Sequence, residues 1–178
     1  YYIFNPASVQ FEFFSENVKS TFKLQDHADF TVQYIFDNIH PDDMQRFIAY
    51  EQKVTDFFNN LPPDKTLKYK VSYDFRLRNG EGNYEWILHQ ATPIQSDDQG
   101  AVLRVLGIHT IISHIKTSDK PAGLSFIGLD GEPSFYNVEV ESFYSSNKEI
   151  LTFREKEILK LIIDGKTSEE IALHLFLS

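Results

Sequence analysis

Lys68-Tyr69-Lys70-Val71-Ser72-Tyr73-Asp74-Phe75-Arg76-Leu77-Arg78 is the stretch on which the reading of this chain turns. Tyr69, Val71, Tyr73, Phe75 and Leu77 alternate with polar or charged residues without a break. Successive side chains of a strand point to opposite faces, so the run predicts a half-buried β-strand. Asn79-Gly80-Glu81-Gly82 then turns the chain, and Tyr84, Trp86 and Leu88 continue a second strand. Ser96-Asp97-Asp98-Gln99-Gly100 marks the next turn and residues 101–112 a third strand. That strand is apolar on both alternating sets, Leu103 with Val105 and Leu106 with Ile108, so both faces are expected to be covered. The cover is expected from residues 1–10, a later hairpin or a second subunit, and the second subunit is favoured.

Upstream, residues 1–16 read as two short strands around Asn5-Pro6-Ala7-Ser8, with helical fragments near 18–24 and 30–36. A stronger helix opens at Pro41, whose missing N–H costs nothing there, with Asp42 and Asp43 beside the positive end of the helix dipole. Met44, Phe47, Ile48, Val54 and Phe58 recur at helical spacing, and Asn59-Asn60 with Pro62-Pro63 stops the helix. Strands, short helices, one long helix and three consecutive strands predict an α+β fold, an antiparallel sheet with helices on one face.

Downstream, Leu124, Phe126 and Leu129 precede Asp130-Gly131, and Phe135, Tyr136 and Val138 follow it, the signature of a hairpin. Residues 117–140 are therefore expected to form an accessory β-hairpin packed on the domain 1–116, and 141–150 a linker. From Leu151 the pattern is helical in two pieces split at Asp164-Gly165-Lys166. Thr152 with Glu155, and Thr167 with Glu170, have the spacing at which hydroxyl and carboxylate cap a helix reciprocally. Residues 151–178 thus read as an incomplete all-α helix-turn-helix module.

Composition bounds the function. The 178 residues include no Cys, which excludes disulfides, thiolate metal sites and cysteine-based flavin photochemistry. No apolar run reaches the roughly 20 residues a helical membrane span needs, and the expected location is cytoplasmic. The chain begins at Tyr1 rather than Met, so a longer parent is expected. The net charge of −9 argues against unspecific adhesion to nucleic acid or anionic membranes. No phosphate-cradling loop, nucleophile elbow or metal-ligand cluster stands in the sequence, so no enzyme and no metal site is expected.

Two segments resemble known families. Ile39-His40-Pro41-Asp42-Asp43, Tyr73 to Gly80, and Tyr84-Glu85-Trp86-Ile87, with Pro93, Gly100 and Gly107, resemble a PAS domain of the PAS-3 type over residues 1–115. One departure is that Ile111-Ile112-Ser113 stands where the family usually carries an Asp-Ile-Thr cap. Leu151-Thr152-Phe153-Arg154-Glu155-Lys156-Glu157-Ile158-Leu159-Lys160-Leu161 and Gly165 to Ala172 resemble the start of a LuxR-type helix-turn-helix.

The resemblance implies a transcription regulator that senses a signal through its PAS domain, binds DNA and works as a homodimer. It implies ligand-pocket candidates at Phe47, Ile48, Tyr73, Phe75, Trp86 and His109, against the plain alternative that these residues only fill the core. It also implies a phosphate contact from Lys166. The family's recognition helix is expected beyond Ser178, so residues 1–178 alone are not expected to hold operator DNA. Two other readings stand beside this one: a PAS interaction or dimerisation module without a small ligand, and a haem or flavin redox sensor. No cofactor is assigned.

Overall fold

The computed structural model describes residues 1–140, within the first of the two units into which the chain divides, Tyr1–Phe143. Its strands are β1 (Tyr2–Asn5), β2 (Gln10–Phe14), β3 (Tyr69–Arg78), β4 (Tyr84–Ser96), β5 (Val102–Ile111), β6 (Leu124–Gly128) and β7 (Phe135–Val138). The helices α1 (Val18–Phe22), α2 (Val32–Asn38) and α3 (Pro41–Asn59) lie in sequence between β2 and β3. All seven strands join one antiparallel sheet in the order β2-β1-β5-β4-β3-β6-β7. The fold is the α+β arrangement expected from the order of strands and helices along the chain. Among the described residues no helix is long and apolar enough to cross a membrane.

Local chemistry starts and aims α3. His40 caps it, its ring Nδ1 accepting from the Asp42 N–H at 3.2 Å, and Pro41 supplies the first turn. Residues 47, 51, 54 and 58 then share one stripe. Phe47 and Phe58 are buried on it, and Phe47 meets Phe75 edge-on at 5.1 Å. Ile48 lies about 100° further round the helix and is 50% exposed, so it is not part of the core stripe. On β3 the apolar set Tyr69, Val71, Tyr73, Phe75 and Leu77 is buried toward the helices, each residue at 3% exposure or less.

The polar set of β3 is not simply solvated. Asp74 is buried, and Arg76 forks onto Asp43 while its guanidinium lies 5.3 Å from the Trp86 ring centroid. The segment after β5 straps this side of the sheet. Lys116 pairs with Asp74 and sits 4.0 Å from the Trp86 ring centroid, and the Ala122 N–H donates to Asp74 at 2.7 Å. Ser113 accepts from the Trp86 N–H at 2.9 Å and donates to Glu85 at 2.5 Å, so a hydroxyl holds the chain to β4 as it leaves the sheet.

β6 pairs with β3, setting Val71 opposite Phe126, and β7 pairs with β6. Phe126 stacks on Phe57 of α3 at 3.8 Å, which fastens the hairpin to the core. Asp130 and Gly131 take φ of 53° and 88°, the left-handed pair that a mirror-image turn requires. β1 pairs along the edge of β5 and does not lie over its face. The outward residues Ile108, Ile94 and Phe13 remain 39%, 44% and 45% exposed.

Candidate functional site

A cavity of about 580 Å³ opens between α3 and the inward face of the sheet. That volume lies inside the range of roughly 300–1,000 Å³ typical of small-molecule sites. Phe47, Glu51, Val54 and Phe58 line it from α3, Val71, Tyr73 and Phe75 from β3, His89 and Ala91 from β4, Val105 and His109 from β5, and Tyr2 and Phe4 from β1. Gly107 stands in the inward set of β5, where an added Cβ would lie 2.1 Å from the Tyr2 ring. Only glycine lets that ring seat against the wall.

Register builds a polar row across this apolar space. Tyr73 pairs with His89 on β4, and His89 with His109 on β5. His89 Nδ1 and His109 Nε2 are 2.9 Å apart, one donating and the other accepting according to tautomer. Tyr73 donates its hydroxyl proton to the carboxylate of Glu51. Glu51 lines the cavity with its side chain exposed, although protein atoms crowd around it and reduce its hydration.

Burial sets the protonation states. It pulls His89 down to about 4. Burial and then the neighbouring His89 hold His109 well below the usual imidazole range. Burial pushes the Glu51 carboxyl up, opposed by the Tyr73 hydrogen bond. Both rings are therefore neutral near pH 7.

The two histidines carry a pH prediction. A buried imidazole with a depressed pKa must stay neutral in the fold, while the unfolded chain takes up a proton below about pH 6.5. The stabilising preference for the neutral ring is complete above that pH and is lost as pH falls toward 4. Glu51 titrates with the opposite sign, so the comparison is made between variants. Denaturant titrations from pH 7 to 4 will show wild type losing more stability than His89→Gln.

Of the residues expected at a pocket, Phe47, Tyr73, Phe75 and His109 line the cavity together. Ile48 does not, being turned out on α3. Trp86 is 8% exposed, but it stands on the opposite face of β4, beneath Arg76 and Lys116. The strand turns Ile87, His89 and Ala91 inward and Trp86 and Leu88 outward. Sequence reasoning missed His89 and Glu51. Glu51 was findable one helical turn after Phe47, and His89 two residues after Ile87. Lys166, Thr152, Glu155, Thr167 and Glu170 lie outside the described residues. Among the described residues no three His, Asp or Glu side chains gather as metal ligands.

An antiparallel sheet with a helix over one face and a small-molecule-sized cavity between them defines an α+β domain of the PAS-like class. The sequence pattern of the PAS fold family matches residues 11–109, more than half of the chain, which belongs to that family. Residues 149–178 match the bacterial regulatory proteins of the luxR family. No curated protein matches the chain.

Solved structures similar to it include the N-terminal domain of a diguanylate cyclase with a PAS/PAC sensor from Marinobacter aquaeolei. That match has 19% identity, covers 64% of this chain and 94% of that one, and has a TM-score of 0.45. A sensory box histidine kinase/response regulator from Burkholderia thailandensis matches at 20% identity over 64% of this chain and 76% of that one, TM-score 0.47. The VqmA dimer of Vibrio cholerae, a LuxR-type receptor, matches at 14% identity over 99% of this chain and 68% of that one, TM-score 0.41.

Proposed function

We propose that this chain belongs to a cytoplasmic, LuxR-type transcription regulator whose PAS cavity senses a small ligand and whose luxR-family segment carries DNA binding. The observation that supports it most is the combination of an open core cavity of about 580 Å³ with a luxR-family segment in the same chain. The role is regulatory, not catalytic. A ligand that prefers one arrangement of the protein shifts its population by its difference in affinity for the two states. The protein acts as a homodimer, in keeping with paired half-sites. The outward apolar residues of the sheet, Phe13, Ile94 and Ile108 among them, are the face a second copy covers.

The reading has a direct check. In a mobility-shift titration at fixed salt, the full gene product should bind DNA upstream of genes it controls with a Kd of about 10 nM, two protomers per site. Affinity no better than for unrelated DNA contradicts the regulator. A strictly monomeric mass at micromolar concentration removes the dimer.

A further inference from the structure

Glu51 is the carboxyl that α3 sets on the cavity, among Phe47, Val54 and Phe58 and beside the uncharged Thr55 and Asn59. A ligand filling the cavity would cover this exposed carboxyl, and covering it unpaired is costly. One of its oxygens accepts from the Tyr73 hydroxyl; the other, Oε2, has no partner among the described residues. Among the described residues no lysine or arginine lines the cavity, and none pairs with Glu51. The row is therefore rich in acceptor capacity and poor in positive charge. A carboxylate or phosphate ligand would meet a carboxyl and two neutral imidazoles, with no countercharge to replace its water.

We propose that the cavity takes a small, largely aromatic or aliphatic molecule that presents a nitrogen-borne hydrogen, as an amine, amide or ring N–H, to the Glu51 carboxyl, and that it excludes anionic ligands. The inference rests on the sensing reading above and adds the ligand's chemical class. Phe47, Phe75 and Val71 bury the apolar body of the ligand, while Glu51 receives its polar head. Desolvation by the surrounding protein raises the pKa of Glu51 against the Tyr73 hydrogen bond, which suits a carboxyl that pairs with a donor. An amine head restores its ionised form by supplying the missing charge.

The test is a calorimetric panel on the full chain. Phenylalkyl and indolyl compounds are compared in three head classes: amines and amides, methyl esters and ketones, and carboxylates. Wild type should bind the N–H heads at least tenfold more tightly than the other two, the size of one charge-assisted hydrogen bond. Glu51→Leu should abolish that preference. Because it also leaves the Tyr73 hydroxyl without its acceptor, the double variant Glu51→Leu/Tyr73→Phe is measured beside it and should lose the same preference while recovering the melting temperature. Glu51→Gln, which keeps an acceptor oxygen and the volume, should retain binding of the amides. Equal binding of all three classes, or a preference that survives Glu51→Leu, overturns the inference while leaving the sensing reading intact. Failure of every class to bind overturns both.

Discussion

Phe30→Ala is expected to lower the stability of the domain by about 4 kcal/mol, the cost of emptying a fully buried aromatic site. Phe30 is 1% exposed, and it is the common neighbour of the N-terminal part of the fold. It stacks on Phe22 at 4.7 Å and lies 5.7 Å from Phe11, Phe14 and Tyr34. It also reaches His109 at 6.0 Å. One side chain therefore joins α1, α2, β2 and the cavity wall. Its loss leaves a void that four elements cannot close at once, because each is tied elsewhere. A melting temperature about 10 °C lower follows from that energy. Tyr136→Ala, at a position 67% exposed, should change stability by no more than about 0.5 kcal/mol. Similar losses from both variants would contradict this placement of the core.

The second large effect concerns Asp43, which joins α3 to β3. Its side chain is 5% exposed. It accepts from Arg76 three times: the backbone N–H at 2.9 Å, Nε at 3.0 Å and Nη2 at 2.9 Å. Arg46 lies 3.2 Å from its other flank. Asp43→Ala leaves two guanidinium groups and a strand N–H without their carboxylate, and should cost about 3 kcal/mol. Burial works against the charge of Asp43, but Arg76 and then Arg46 overcome it and hold the carboxyl at about 2. A depressed carboxylate pKa stabilises the fold above the unfolded value of about 3.9 and stops doing so as pH falls to the folded one. Between pH 4 and 2 the wild type should lose stability faster than Asp43→Ala, and the gap between them should shrink. A gap that stays constant over that range would show that the pair contributes no charge-dependent stability.

Much of the architecture was legible because its signals are local. The alternation of residues 69–77, Pro41 before two aspartates, and Asp130-Gly131 between apolar runs each specify an element within a few residues. The site was harder to read for two physical reasons. β4 offers apolar residues on both alternating sets, Trp86 with Leu88 and Ile87 with Ala91, so periodicity alone does not say which set turns inward. The contacts that decide it, Arg76 and Lys116 over Trp86, come from 10 and 30 residues away in sequence. On α3, Ile48 fits the apolar count, yet the stripe is centred between Phe47 and Glu51, which puts a carboxyl where a hydrophobic residue was expected. The environment of Arg76 was hidden for the same reason: its partner Asp43 is 33 positions away.

The link between the cavity and DNA binding is tested most directly by blocking the first and measuring the second. Ala91 lines the cavity on β4, and Ala91→Phe places a ring in the open space. The measurement is the apparent Kd of the full gene product for its specific DNA at fixed salt, with and without a small-molecule extract of the cells that make it. Wild type should change affinity at least tenfold with the extract, while Ala91→Phe, folded to the same melting temperature, should not respond. A wild type that ignores the extract, or a blocked variant that responds as fully, contradicts the account.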